Sequence, residues 1–484
     1  MSAHVRELAG RSRYDAVVVG AGPNGLSAAI TLAQAGRSVL VVEANTTVGG
    51  GARSAEITLP GFVHDLGSAI HPLAVSSPVF SQLPLQEHGL EWVHPDAPLA
   101  HPLDGGTVAL LERSVRDTAS TLDGDAGAYE RLLAPVVASW SDIAPVVQGP
   151  LRPPLHPLTA ARFGVLALRP ATMLARQVFK GERAQALFAG NAAHSLLPLE
   201  ALATSGFALT LSALAHVVGW PFPKGGAQKI ADALASCLRE LGGEIVVGAR
   251  VERLEDLPPS RVVLCDLGPK SLLRVAGHLM PSSFRRTLER YQYGPGAFKL
   301  DWALDGPIPW AAAECARAGT VHVGGTLEEI AAGEQQVARG GHPERPFVLL
   351  AQQSLFDPSR APTGKHTAWA YCHVPNGSTM DMTETIERQV ERYAPGFRDR
   401  IIGRAVSSPA DLEQMNANLV GGDVNGGLQD VRQLFARPWL RHVPYKTPVP
   451  GLYICSASTP PGGGVHGICG SFAARAALRY SFGD

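Results

Sequence analysis

Near the start of the chain, two short apolar runs flank a helical pattern. Residues 16–19 (AVVV) and 38–42 (SVLVV) are continuous apolar segments of the kind that forms buried parallel strands. Residues 26–35 suit a helix, and Gly36 suits the left-handed position that often ends one. The pattern predicts a strand–helix–strand unit of an α/β fold with a parallel sheet.

A glycine-rich turn joins the first predicted strand to the helix. Gly20, Gly22 and Gly25 form the pattern G-x-G-x-x-G, and Glu43 follows the second strand. The first glycine permits a tight turn, the second lets backbone approach a pyrophosphate, and the third lets helix and strand pack closely. An acidic residue after the second strand is placed to bind a ribose. The unit therefore predicts a dinucleotide-binding site.

Patterns of both kinds continue along the chain. Residues 76–223 are predicted to be helical segments separated by prolines, and a mixture of strands and helices follows. Further strands are predicted at residues 244–247, around Val251, and at 261–265, 298–304, 347–352, 367–373 and 452–455. Further helices are predicted at residues 227–241, after Asp381, and at 468–479.

Residues 201–223 carry no Asp, Glu, Lys or Arg, so their length would allow them to cross a bilayer. They include several Ser, Thr and Gly residues, lack a basic flank at their start, and end in Trp-Pro-Phe-Pro. These features favour a buried helix beside an apolar cavity over a spanning helix. A surface that dips into a membrane stays open as the alternative.

The overall composition excludes some partners and suggests a lipophilic one. The 484 residues include 42 basic and 43 acidic side chains, so no strong field draws the chain to nucleic acid. Charged residues make up 18%, against about 25% in average soluble proteins. The apolar surplus indicates a large core, an interface or a lipophilic cavity.

The cysteines and the first residues of the chain indicate the cellular compartment of the protein. Six scattered cysteines without a C-x-x-C pair indicate reduced thiols, with neither a disulfide framework nor a metal site. Residues 1–14 are polar and basic and lack the apolar stretch of a signal peptide. Both features favour a cytoplasmic protein, with peripheral membrane contact left open.

Five stretches together resemble the phytoene desaturase-like group of FAD-dependent oxidoreductases, in particular its subgroup named for a pyridine nucleotide-disulphide oxidoreductase domain (second member). They read GAGPNGLSAA, VGGGARS, GFVHDLGSAIHPL, PKGGAQKIADALA and GLYICSASTPPGGGVHGICG, and they are spread over the whole chain. The resemblance implies a discontinuous Rossmann-like FAD-binding domain of glutathione reductase type at residues 1–75, 224–284 and 442–484. It implies an inserted mixed α+β substrate-binding domain with helical segments at residues 76–223 and 285–441.

The resemblance also implies FAD as the cofactor and a set of residues that hold it. The implied set is Gly20, Gly22, Pro23, Asn24, Gly25, Glu43, Ala44, Gly49, Gly50, Gly51, Ala52, Arg53, Gly67, Ser68, Val251, Asp266, Ser456, Gly463, Gly464, Val465 and His466.

The chain differs from related flavoenzymes at positions that bear on which reaction it catalyses. Amine oxidases carry R-x-G-G-R after the ribose-binding acid, whereas Thr47 and Gly51 stand at the two arginine positions here. This difference argues against amine oxidation. The absence of a redox cysteine pair argues against disulfide reduction.

A second glycine pattern at residues 462–467 leaves too few residues after it for another nucleotide-binding unit, so a helix N-terminus aimed at the flavin is the better interpretation. With a single nucleotide site, electrons pass directly to or from an organic substrate. Residues 421–427, rich in glycine, form either an active-site loop or a surface turn.

Candidates for acid–base catalysis are His71, Lys299 and His466, which the resemblance places on segments near the flavin ring. Each also has a structural interpretation: a turn residue, a solvent-facing lysine and a packing histidine, respectively.

The leading hypothesis is desaturation, saturation or isomerisation of a lipophilic substrate, of isoprenoid or polyene type. The alternatives are an amine or alcohol oxidase and a flavin-binding interaction protein with low turnover. The oligomeric state is not fixed by the sequence, a homodimer being one option.

Overall fold

The computed structural model describes residues 7–150 and 152–484. The first six residues, which carry part of the prediction for residues 1–14, lie outside this range. The strands are β1 (Tyr14–Val19), β2 (Val39–Val42), β3 (Ser54–Glu56), β4 (Val63–Asp65), β5 (Trp92–Val93), β6 (Ala97–Leu103), β7 (Thr107–Leu111), β8 (Phe222–Pro223), β9 (Glu244–Val246), β10 (Ser260–Cys265), β11 (Gly296–Leu304), β12 (Ala318–Val323), β13 (Val348–Ala351), β14 (His366–Val374), β15 (Ile401–Ser407) and β16 (Leu452–Ile454).

The α-helices of the described residues are α1 (Pro23–Gln34), α2 (Pro72–Val75), α3 (Val115–Ser120), α4 (Ala126–Ala138), α5 (Trp140–Val147), α6 (Pro157–Ala167), α7 (Ala171–Val178), α8 (Glu182–Ala193), α9 (Thr204–Val217), α10 (Gln228–Glu240), α11 (Pro269–Ala276), α12 (Ser282–Glu289), α13 (Leu327–Ala338), α14 (Thr383–Tyr393), α15 (Pro409–Met415), α16 (Val431–Phe435) and α17 (Ile468–Ala477).

Five parallel strands form the first large sheet, in the order β16–β10–β1–β2–β9. Successive side chains of a strand point to opposite faces. Val18 of β1 therefore joins a core with α1, α10 and α17, while Val17 joins a core with α11 and α12. Because helices cover both faces, the central residues of these strands are apolar, and the predicted parallel α/β sheet is confirmed.

The strands of this sheet come from three separate stretches of the chain, at residues 14–42, 244–265 and 452–454. The sheet is therefore assembled discontinuously. The domain boundaries expected at residues 75, 223, 284 and 441 stay a prediction.

The second large sheet is mixed and has the order β15–β11–β14–β13–β12–β6–β7. Only the pairing of β12 with β6 is parallel among its described strands. One face packs against α14, and the other packs against the helices α4, α8 and α9. This arrangement supplies the expected mixed part of the fold.

Two local predictions are wrong. Strands β6 and β7 lie inside residues 76–223, which were expected to be helical. Strand β6 was not predicted because it contains Pro98 and Pro102, and proline is rare inside strands. The strand expected around Val251 is absent, since β9 ends at Val246 and Gly248 turns the chain with a positive φ of 70°.

The charge-free residues 201–223 lie mostly inside the protein. Their helix, α9, has 14 residues and packs against α4, α6 and α8. His216 of this helix bonds through Nε2 to the hydroxyl of Tyr129, at 2.8 Å. Within the part of the chain that the structure describes, no helix combines the length and apolarity needed to cross a membrane.

Candidate active site

A cavity of about 420 Å³ lies between the two large sheets. One end is formed where β1, β2 and β10 finish, at Gly20, Glu43 and Asp266. The carboxyl ends of parallel strands are the usual binding edge of an open α/β sheet, and small-molecule sites have volumes of about 300–1,000 Å³. The other end is bounded by the second sheet, through Lys299 and Trp369.

Backbone packs against backbone at the first end. Gly20 has a positive φ of 104°, and a Cβ on Gly25 would lie 2.0 Å from the Gly20 carbonyl oxygen. A Cβ on Gly22 would lie 2.7 Å from Asp266 Oδ2, and one on Gly50 would lie 3.1 Å from the Gly22 Cα. The two glycine-rich stretches therefore meet at a distance that a side chain would prevent, which leaves a cradle of bare backbone.

Glu43 is a buried carboxylate that anchors this cradle. Its Oε2 accepts the Ala21 N–H at 2.7 Å, and its Oε1 accepts the backbone and side-chain N–H groups of Asn45 at 2.8 and 3.1 Å. A carboxylate has about four acceptor sites, so one remains for a ligand hydroxyl. The geometry suits the predicted contact with a ribose.

Asp266 lies beneath the glycine turn. Its Oδ2 accepts the Gly25 N–H at 3.0 Å, at the N-terminus of α1. Burial raises the pKa of Asp266 to about 7, against the effect of this hydrogen bond, and the charge of Glu43 adds to the increase. The carboxyl group is thus partly protonated at neutral pH, which weakens its repulsion of a phosphate.

Arg53 holds the glycine run of residues 49–51 in place. Its Nε donates to the Gly50 carbonyl oxygen at 3.0 Å, and its Nη2 donates to the Met415 carbonyl oxygen at 2.9 Å. The guanidinium group therefore ties the cradle to α15 and does not form part of the cavity wall.

The predicted cofactor residues divide into wall residues and supporting residues. Those that line the cavity are Gly20, Gly22, Pro23, Asn24, Glu43, Ala44, Gly50, Gly51, Ala52, Gly67, Ser68, Val251, Asp266, Gly464 and Val465. Those outside the wall are Gly25, Gly49, Arg53, Ser456, Gly463 and His466. Ser456, for example, donates its hydroxyl to the Leu267 carbonyl oxygen at 2.9 Å.

The glycine-rich loop at residues 421–427 reaches the cavity. Val424, Asn425 and Gly426 line the wall. Arg437 fixes the loop by donating from Nη2 to the Asn425 carbonyl oxygen at 2.6 Å and from Nε to the Ala457 carbonyl oxygen at 3.1 Å. Of the two interpretations, the placement favours an active-site loop.

Lys299 brings a charge to the second end of the cavity. It is buried on β11, and its Nζ lies 5.8 Å from the centroid of the Trp369 ring. Lys299 Nζ also bonds to Asp301 Oδ2, because residues two apart on a strand point to the same face. The interpretation of Lys299 as a solvent-facing residue is therefore wrong.

Polar groups continue from Lys299 toward the surface. Asp301 Oδ1 lies 3.6 Å from His64 Nδ1, and His64 Nε2 lies 2.8 Å from the hydroxyl of half-buried Thr58. Burial raises the pKa of Asp301 to about 6, opposed by Lys299. Burial and the charge of Lys299 lower the pKa of His64 to about 3. We call Lys299, Asp301, His64 and Thr58 the lysine relay.

His71 lines the cavity between the two ends. The side chain is buried, and its Nε2 has no hydrogen-bond partner among the described residues. Burial lowers its pKa to about 4, so the imidazole is neutral at pH 7. A buried, unpaired nitrogen in the cavity wall suits contact with a bound molecule.

The position of His466 differs from the one expected for a residue that takes part in proton transfer. Its Nδ1 accepts the Ile468 N–H at 3.1 Å, and its Nε2 lies 3.3 Å from the Gly462 carbonyl oxygen. Both ring nitrogens are thus occupied within its own loop, and the side chain is outside the cavity wall. The structure supports the packing interpretation of His466.

Three residues at this site were missed from the sequence. Asp301 could have been found by its spacing from Lys299, and His64 lies in the recognised GFVHDLGS stretch. His194 lines the cavity and lies 3.0 Å from His322 between their Nε2 atoms. No local signal marks His194, because its place depends on how α8 packs against the second sheet.

Comparisons with known proteins agree with this geometry. The family described as flavin containing amine oxidoreductase matches residues 24–276. The pyridine nucleotide-disulfide oxidoreductase domain-containing protein 2 of Rattus norvegicus is 28% identical, covering 97% of this chain and 94% of that protein. A lycopene-forming phytoene desaturase of Pseudescherichia vulneris is 26% identical over 57% of this chain and 59% of its own length.

A solved structure extends the likeness to the whole fold. The crystal structure of an oxidoreductase from Methanosarcina mazei matches with a TM-score of 0.65 at 17% identity, covering 96% of this chain and 99% of that one.

Proposed function

We propose, from the premise that the chain belongs to the flavin-containing amine oxidoreductase family, that it oxidises or reduces a carbon–carbon bond of a lipophilic substrate. The family and the flavoprotein relatives make it an FAD-dependent oxidoreductase. The choice of bond and substrate is our proposal.

The residues present fit FAD. The bare-backbone cradle of Gly22 and Gly50 admits a pyrophosphate that any side chain would block. Glu43 keeps an acceptor site for a ribose hydroxyl, and the N-terminus of α1 favours negative charge. When bound, FAD accepts or supplies a hydride.

The observation that carries the proposal is the contrast between the apolar wall of the second end and the buried amine of Lys299 within it. Beyond the cradle, the wall includes Leu211, Leu349 and Trp369, and Lys299 is set among such residues. An apolar wall excludes water and suits a hydrocarbon. The phytoene desaturases among the relatives support a reaction at carbon–carbon bonds.

The lysine relay supplies the acid–base part of this chemistry. Forming a double bond between two carbons releases a proton besides the hydride, and adding hydrogen consumes one. Lys299 lines the cavity wall, and its Nζ donates to Asp301 Oδ2 behind the wall. His64 lies 3.6 Å from Asp301 Oδ1, beyond hydrogen-bond distance, and its Nε2 contacts the hydroxyl of half-buried Thr58, so these polar groups lead from the ion pair toward the edge of the protein.

Amine oxidation is the second candidate, because the matching family is named for it. One feature opposes it: Thr47 and Gly51 replace the arginines of the amine oxidase motif.

The test is an anaerobic titration of the yellow protein, followed by flavin absorbance. We expect isoprenoid or polyene lipids to bleach the oxidised flavin, or to restore the colour of photoreduced flavin if the enzyme saturates its substrate. Bleaching by amines or alcohols alone would support the second candidate. A flavin inert to every donor and acceptor would refute both and support a binding protein.

A further inference from the structure

The chain has a continuous stretch without acidic residues. No Asp or Glu occurs at residues 143–181, which cover the end of α5, all of α6 and all of α7. The same stretch contains five cationic residues: Arg152, Arg162, Arg169, Arg176 and Lys180. Arg176 pairs with Glu328 at 3.3 Å, so among the described residues the unpaired positive charge of this stretch comes from the other four.

Large apolar side chains are exposed along the same stretch. Leu158 and Val165 on α6 are 76% and 64% exposed, whereas Phe163 of the same helix is buried. Leu158 and Val165 lie seven residues apart, so they share the outward side of the helix. Helix α6 therefore has apolar residues both on the side that faces the core and on the side that faces solvent.

The next helix and the segment before α9 also expose apolar side chains. Met173 on α7 is 58% exposed, and Leu202 is 59% exposed. The Ala203 N–H donates to the Leu168 carbonyl oxygen at 3.0 Å, which brings Leu202 beside the end of α6. We call the exposed residues Leu158, Arg162, Val165, Met173 and Leu202 the basic apolar face.

Arg162 lies within this face. It follows Leu158 by four residues and precedes Val165 by three, and it is exposed. Among the described residues, it forms no ion pair. A groove of about 480 Å³ opens between α4, α6 and α7, lined by apolar residues, by Arg131 and Arg162, and by the polar Ser139, Thr159 and Gln177.

We infer that the basic apolar face binds the surface of an anionic lipid bilayer. Exposed apolar residues gain free energy by entering the headgroup region, and arginines beside them pair with lipid phosphates. A nucleic acid would satisfy the arginines and leave the apolar side chains without a partner. Interleaving of the two residue types therefore favours a bilayer.

The face also has a useful position relative to the cavity. α6 packs against α9, where a Cβ on Gly206 would lie 3.2 Å from the Ala167 carbonyl oxygen. On its other side, α9 contributes Leu211 to the cavity wall. A bilayer held at this face lies one helix away from the apolar end of the cavity.

The experiment is flotation of the FAD-loaded protein with vesicles of phosphatidylcholine alone or mixed with phosphatidylglycerol. We expect binding to the mixed vesicles that weakens as salt is added. Arg162→Gln should weaken binding about fivefold, as expected for one basic residue at a charged surface. Val165→Ser should weaken it by a similar or larger factor, while Ile402→Ser, at an exposed site on the edge strand β15, should bind as the unchanged protein does.

Absence of vesicle binding, or equal binding by all variants, would overturn the inference. Light scattering, run in parallel, tests whether a second copy of the chain covers the face instead. If the unchanged protein is a dimer that does not bind vesicles, and Val165→Ser is a monomer, the face is a dimer interface. Binding to a nucleic acid in preference to vesicles would equally overturn it. The measurement needs no substrate, so its result is independent of the proposed reaction.

Discussion

At the nucleotide end of the cavity, bare glycine backbone forms part of the wall, whereas the opposite end is bounded by large side chains. Gly20, Gly22 and Gly50 present bare main chain at the first end. Lys299 and Trp369 define the second end, with no comparable glycine cradle among the described wall residues.

The difference reflects what each end has to recognise. A pyrophosphate is bound by N–H groups and close approach, so the requirement is a backbone shape encoded within a few residues. A reacting carbon requires apolar walls and a positioned proton, which come from elements far apart in the chain. Substitutions at the two ends should therefore differ in what they remove, bound cofactor at the first and folding stability at the second.

Filling the cradle should abolish cofactor binding. Gly22→Val places its side chain against Asp266 Oδ2 and Gly50 Cα, so we expect nearly complete loss of bound flavin from the purified protein. The visible spectrum and the extracted flavin measure this effect. Gly277→Ala is the matched control, because its Cβ would only touch Leu273 at 3.7 Å. Full flavin content in Gly22→Val would show that the cofactor lies elsewhere.

Removing the cation at the second end should destabilise the protein without emptying the cradle. Lys299→Met leaves Asp301 buried without its partner, at a cost of about 3–5 kcal/mol in the free energy of unfolding. Urea unfolding measures the loss. Adding Asp301→Leu should recover most of it, because both charges are then gone.

Lys365→Met provides the control for this pair. Lys365 and Asp305 also form an ion pair, but both are exposed and screened by solvent, so the loss of stability should be far smaller than for Lys299→Met. A double variant as unstable as Lys299→Met alone would contradict the assigned role of the pair.

Asp266 should give the nucleotide end a measurable pH dependence. Its pKa rises from an ordinary value of 3.8 to about 7 in the folded state, so the native protein holds this proton more tightly. The contribution of Asp266 to stability is therefore greatest in acid and declines as the pH rises from about 4 to 7.

Asp266→Asn has no carboxyl group to titrate at this position, so it does not lose stability in this way as the pH rises. The free energy of unfolding of the variant, relative to that of the unchanged apoprotein, should therefore increase by up to a few kcal/mol between about pH 4 and pH 7. Unfolding midpoints at several pH values measure it. Asp381→Asn should show a flat difference there, because hydrogen bonds from Thr383 lower the pKa of Asp381 below 3.8. A flat result for Asp266→Asn would contradict the assignment.

The smallest effect is expected for the ribose acceptor. Glu43→Ala removes one charged hydrogen-bond acceptor for the ligand, worth about 1.5–3 kcal/mol, and should weaken FAD binding about ten- to a hundredfold. Titration of apoprotein with FAD gives this ratio. Glu87→Ala, at an exposed site, should leave the affinity unchanged. An unchanged affinity in Glu43→Ala would remove Glu43 from the binding set.

The sequence by itself determined the nucleotide end. The strand, the glycine turn, the helix and Glu43 are adjacent in the chain, and their spacing alone requires close backbone approach, so β1, α1, β2 and the cradle could be predicted. The apolar strands of the first sheet were equally legible, because burial on both faces demands apolar residues throughout.

Only the tertiary structure showed which residues form the second end of the cavity and which apolar residues lie on the outer surface. Asp301, the partner of Lys299, approaches His64 across more than two hundred residues of chain, and both ring nitrogens of His466 are occupied within its own loop. Most of residues 201–223 are apolar because they lie inside the protein, whereas the exposed apolar residues of α6 cannot be told from buried ones in the sequence. Periodicity identifies a helix face as apolar, but only packing against other elements settles whether that face meets the core or the solvent.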